Sequence, residues 1–104
     1  MPEHYRVRLT PEALSNLEEI HAFIAKDSLQ NAAKMLGRIL DSIDSLETFP
    51  HRTVVQRQSP VLKYPVRSLP VKPYVIYYRV IEDERVVVIR YIRHGARRQP
   101  ARFD

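Results

Sequence analysis

Cysteine is absent from the chain, and glycine occurs only twice among its 104 residues. Without cysteine there is no disulfide framework, no thiolate nucleophile and no cysteine zinc site. The fold must therefore stand on its apolar core, and a reducing, cytoplasmic setting fits. The two glycines, Gly37 and Gly95, build no phosphate-cradling loop of the P-loop or dinucleotide kind, which argues against nucleotide binding by a backbone loop. No run of about 18 apolar residues occurs, and the opening residues lack the apolar stretch of a signal peptide, so neither a membrane span nor secretion is expected. His4, His21, His51 and His94 show no paired ligand spacing, and neither a metal nor another cofactor is expected.

What remains is the composition of one ordinary globular domain spanning 1–104, with 44% apolar and 28% charged residues. Its charge is unevenly placed. Residues 1–49 carry five Lys/Arg against eight Asp/Glu, a net of −3, whereas residues 50–104 carry twelve against four, a net of +8. Such a field speeds encounter with anionic surfaces, whether nucleic acid or an acidic protein segment, without choosing between them. Six arginines between 85 and 104 face a single acid, Asp104, which makes 93–104 a basic C-terminal segment. Gly95 is expected to let the chain turn off the preceding strand.

The hydrophobic pattern predicts an α+β protein. Tyr5, Val7 and Leu9 alternate with Arg6 and Arg8, the period of a half-buried strand over 4–9. Thr10-Pro11 then stops the strand and starts a helix, Thr10 as cap and Pro11 at the first helical position, where a missing N–H costs nothing. Leu14, Leu17, Ile20 and Ile24 carry that helix to about residue 26. Asp27-Ser28 starts a second helix, striped by Ala32, Met35, Leu36, Ile39, Ile43 and Leu46 and ended by Pro50 at the latest.

Prolines 60, 65, 70 and 73 exclude regular central structure before Pro65 and confine a short strand at about 66–71 to an edge or an irregular pairing. Tyr74–Ile81 and Arg85–Ile92, joined by Glu82-Asp83-Glu84, read as a β-hairpin. The order β-α-α-β-β-β gives two layers, an antiparallel helical hairpin on a mostly antiparallel sheet of about four strands. Strict alternation sets Val75, Tyr77 and Arg79 on one side of the third strand and Val86, Val88 and Arg90 against Val87, Ile89 and Tyr91 on the fourth. The arginines suggest that Tyr77, Arg79 and Arg90 face outward.

Phosphodiester chemistry needs a proton acceptor, a proton donor and cationic stabilisers. Arg67 and Arg79 are the candidates for charge and His94 or a tyrosine for proton transfer, although His94 at a strand end is more simply read as hydrogen-bonding a backbone carbonyl. The run Arg90-Tyr91-Ile92-Arg93-His94-Gly95-Ala96-Arg97-Arg98 is the richest in cations and suits a phosphate-tracking surface or a dock for an acidic peptide.

In order and spacing these pieces resemble the RelE/ParE toxin family, also called plasmid-stabilisation proteins, and they resemble its ParE branch more closely. The resemblance covers nearly the whole chain. It is carried by Leu9-Thr10-Pro11-Glu12-Ala13, Leu17-Glu18-Glu19-Ile20, Ile24-Ala25-Lys26-Asp27-Ser28, Ile43-Asp44-Ser45-Leu46 before Phe49-Pro50, Arg67-Ser68-Leu69-Pro70-Val71 and Tyr74–Val80. The ending from Val86 to Arg97 is its most specific part. The resemblance implies the two-layer fold, a bacterial cytoplasmic setting, and a cognate antitoxin whose segment wraps the toxin, with Tyr77, Arg79 and Arg90 as its dock. ParE-like members poison DNA gyrase and arrest growth, for which Arg90, Arg93, His94, Arg97 and Arg98 would form the target-binding set. RelE-like members instead cut mRNA on the ribosome, and there Arg67, Arg79 and His94 would be catalytic. By approximate register the ribonuclease cations fall here on Val75, Val66 and Ser68, a departure that weakens the second branch.

Overall fold

A computed structural model describes residues 4–51, 53–55 and 65–95. Along the chain run β1 (Arg6–Leu9), α1 (Pro11–Ala25), α2 (Leu29–Ser45), β2 (Val54–Val55), β3 (Arg67–Val71), β4 (Tyr74–Ile81) and β5 (Val86–His94). The expected order is present, with one addition. The stretch after Pro50 contributes a two-residue strand, β2, so the sheet has five strands among the described residues, in the order β1-β5-β4-β3-β2.

Local chemistry accounts for the helix ends. The Thr10 hydroxyl accepts from the Ala13 N–H at 3.0 Å and donates to the Arg90 carbonyl at 3.0 Å, so one side chain caps α1 and ties it to β5. Ser28 caps α2 in the same way, accepting from the Asn31 N–H at 3.0 Å. The second helix ends at Ser45, short of Pro50, in tighter turns in which the Leu46 and Glu47 N–H groups bond the Ile43 and Asp44 carbonyls, each at 3.0 Å.

Both helices bury their apolar stripes on one side of the sheet. Ala13, Leu17, Ile20, Ile39, Ile43 and Leu46 pack with Tyr74, Ile76, Tyr78, Val87, Ile89 and Ile92 in the main core. β3, β4 and β5 are antiparallel, whereas β1 joins β5 in parallel through Arg6↔Val86, Val7↔Val87, Arg8↔Val88 and Leu9↔Ile89. Pro70 is tolerated because the β2 pairing covers only Arg67 and Ser68 among the described residues.

Strict alternation fails at one point of β5. Tyr77 pairs with Tyr91 but Tyr78 pairs with Ile89, so Arg90 is an extra residue and the strand carries a bulge. Val87 and Ile89 face the helices, yet Tyr91 lies on the opposite face with Tyr77, and Ile92 returns to the core. The expected grouping of Tyr91 with Val87 and Ile89 is therefore corrected by this one-residue change of phase.

Candidate functional site

The sheet face turned away from the helices follows from the register. Its rows read Arg6, Val86, Ile81; then Arg8, Val88, Arg79; then Tyr91, Tyr77, Ser68; then Arg93, Val75, Pro70. None of the strands among the described residues contains an acidic residue, while Arg6, Arg8, Arg67, Arg79, Arg90 and Arg93 all lie in strands. The centre of the face is a second, smaller apolar cluster of Val66, Tyr77 and Tyr91, with Val75 packed against it.

Tyr77 shares this face with Arg79, as alternation predicts, but it is only 5% exposed. An outward direction therefore does not make it a surface residue. Burial pushes its hydroxyl pKa up, and the charge of nearby Arg93 opposes that shift. Tyr91 is equally covered, with the Arg93 guanidinium 4.8 Å and that of Arg90 5.5 Å from its ring centre. Arg93 also reaches Glu12 at 3.3 Å on the first turn of α1, and its Nε is buried without a hydrogen-bond partner. Two of the expected target-binding cations are thus held in fixed positions around one aromatic ring.

The three ribonuclease candidates do not converge. Arg79 lies on the outer face. Arg67 pairs with Tyr78 and so lies on the helix side, where it donates to the carbonyls of Thr53 at 2.7 Å and His51 at 3.2 Å. Tyr78, fully buried, braces the same segment by donating to the Pro50 carbonyl at 2.7 Å. Arg67 thereby fastens the chain leaving α2 to β3. His94 pairs with Tyr74 on the helix side too, its ring edge-on to Tyr74 at 5.4 Å. From Arg67 to His94 the register runs four residues along β4 and two strands across, on the order of 16 Å, beyond the reach of a shared phosphate.

Gly95 does not release the chain at once. Its N–H bonds the Pro73 carbonyl at 2.7 Å, continuing the hairpin, and an added Cβ would approach that carbonyl to 3.3 Å. Arg97 and Arg98 lie outside the described residues.

A polar clasp sits at the other end of the hairpin. The Tyr5 hydroxyl donates to both oxygens of Glu82 at 2.9 and 3.2 Å, and His51 Nε2 meets the same carboxylate. The Tyr5 hydrogen bond first, and His51 second, hold the Glu82 carboxyl below its ordinary pKa. Arg85 takes a left-handed φ of 54° in the adjoining turn, its guanidinium 5.9 Å from the Tyr5 ring centre.

Arg6 and Arg8 were absent from the expected site. Their alternation in β1 was legible, but the parallel pairing that sets Arg8 in one row with Arg79 joins segments about 80 residues apart. Among the described residues no group of three or more His, Cys, Asp or Glu could hold a metal ion, and no helix is long and apolar enough to cross a membrane.

Comparison with known proteins follows the same outline. The solved ParDE toxin–antitoxin system of Pseudomonas aeruginosa contains a chain that superposes with a TM-score of 0.68 at 20% identity, covering 88% of this chain and 96% of that one. The RelBE2 complex of Mycobacterium tuberculosis gives 0.69 at 20% identity, over 91% and 95%. The RelE–RelB complex of Pyrococcus horikoshii gives 0.64 at 17% identity, over 91% and 99%. At these identities the likeness concerns the fold. In sequence, Y4kP of Sinorhizobium fredii, which carries a toxin designation, is 30% identical over 86 residues, 83% of this chain and 86% of its own length. The family model for the ParE toxin of the type II toxin–antitoxin system parDE matches residues 7–99, and the chain accordingly belongs to that toxin family, within the wider RelE/ParE group.

Proposed function

We propose that this toxin arrests growth by binding and poisoning DNA gyrase, performs no bond cleavage itself, and is neutralised by a cognate antitoxin. The observation that carries this reading is the separation of the cleavage candidates. Arg79 and Arg67 lie on opposite faces, and His94 is remote from both. The positions where ribonuclease cations were sought, Val66, Ser68 and Val75, are apolar or neutral, and Val66 and Ser68 are buried. Among the described residues such a surface can hold a charged partner, but it does not bring Arg67, Arg79 and His94 to one phosphate, as transfer chemistry through them needs.

The antitoxin has two kinds of surface to use. Arg79 and Arg90 offer charge, while Tyr77, being covered, adds little area. Exposed apolar side chains lie instead on the helical layer and just beyond it, at Leu14, Phe23, Leu29, Leu40 and Phe49. A partner segment that is both apolar and acidic would engage both kinds.

The deciding experiment is a supercoiling assay with purified toxin and gyrase, paired with mapping of mRNA ends after induction. Loss of supercoiling or trapped gyrase–DNA cleavage complexes is expected, relieved by the antitoxin. Codon-linked cuts in ribosome-bound message, with gyrase unaffected, would replace this reading by the RelE-like ribonuclease.

A further inference from the structure

Arg6 and Arg8 contribute no side-chain hydrogen bond or ion pair to the fold among the described residues, and both are exposed. They stand two residues apart on an edge strand, so their Cα atoms are about 7 Å apart on the same face. That pitch is comparable to the phosphate repeat of an extended nucleic acid strand. Arg79 continues the row of Arg8 across Val88, roughly 10 Å away.

Charges on an edge strand have a simpler use, which is to discourage pairing with other chains. That use requires nothing of the neighbouring strands. Here the cations lie on β1 and, across Val88 of β5, on β4 at Arg79, and the described strands contain no acidic residue. Protein partners take most of their binding energy from a few anchors, often Trp, Tyr or Arg, seated in desolvated pockets, whereas Arg6 and Arg8 are exposed and no strand carries an exposed large hydrophobic side chain beside them among the described residues. Phosphate backbones need only well-placed cations.

We infer that Arg6, Arg8 and Arg79 form a track for the phosphate backbone of DNA, so that the toxin grips nucleic acid held by its target as well as the target protein. The choice of DNA rests on the gyrase reading. The track itself rests on the arginine row.

The test is fluorescence anisotropy of a labelled DNA duplex with the full chain alone, across a salt series, with a matching RNA as a second arm. R6Q/R8Q removes two exposed cations and leaves the core untouched, which a denaturation curve verifies. K34Q/R38Q removes the same charge from exposed positions of α2. Wild type should bind duplex DNA. R6Q/R8Q should bind about tenfold more weakly, with the slope of log K against log salt reduced by about 1.8, while K34Q/R38Q stays close to wild type. Equal weakening in both variants, an unchanged slope in R6Q/R8Q, or binding of RNA alone would overturn the inference. Gyrase inhibition by a toxin that ignores free DNA would leave the proposed target standing without the track. DNA binding through Arg6 and Arg8 without any effect on gyrase would do the reverse.

Discussion

The two layers of this toxin divide their surface chemistry in opposite ways. α1 and α2 together hold five carboxylates against two cations and leave Leu14, Phe23, Leu29 and Leu40 exposed. The strands hold arginines, no acid, and no exposed large apolar side chain among the described residues. A single interface of ordinary composition would mix apolar anchors with charge. Their separation suggests one layer suited to a protein partner and another suited to a polyanion, on a scaffold whose main core lies between them.

The largest effect that can break this comparison concerns which side holds the fold together. Ile39→Ala, in the fully buried core between the layers, should lower unfolding free energy by about 2–5 kcal/mol in a denaturant titration. Val75→Ala, at a half-buried position packed against the smaller cluster on the outer face, should cost less than about 1.5 kcal/mol. Comparable losses would mean that the outer face is a second core and not a working surface.

Partner choice comes next. L29D/L40D places charge on two exposed leucines, 71% and 43% accessible, and should weaken the antitoxin complex by about 1.4–2.8 kcal/mol, or about tenfold to a hundredfold in Kd by calorimetry. Undiminished affinity would leave the antitoxin on the sheet alone, at Arg79 and Arg90, and end the division of labour.

The smallest effect is the pH response of the clasp. Glu82 has its pKa lowered in the folded chain, so its contribution to stability is present above its ordinary carboxylate value and is lost as pH falls through the depressed one. Glu82→Gln should therefore flatten the acid limb of a stability-versus-pH curve and leave stability nearly unchanged at pH values where Asp and Glu are neutral in both states. An acid limb identical to wild type would show that Tyr5 and His51 do not tie their segments together through this carboxylate.

Much of the fold was legible in the sequence because its signals are local. Thr10-Pro11 and Ser28 mark helix starts through caps that the structure retains, and the hairpin of β4 and β5 follows from its β-branched and aromatic runs. Less local features were not. Val86-Val87-Val88-Ile89 is apolar on both faces, so alternation carries no face signal there, and the extra residue at Arg90 could not be placed. The two-residue β2 is too short to leave a pattern. The cationic character of the outer face was anticipated at Arg79, but Arg8 joins that row only through a pairing that no local rule predicts. Arg67 looked like a candidate for chemistry because its carbonyl partners come from a segment 14 to 16 positions earlier.

The parallel union of the first and last strands bears on how the molecule comes into being. Arg6 cannot meet Val86 until the chain through β5 has left the ribosome, and closing so large a loop costs entropy before any ladder bond repays it. Until then a nascent chain can build its helical hairpin but lacks the completed sheet. Harm to the cell would thus begin only after β5 has emerged and joined β1, which leaves an interval for a partner to arrive.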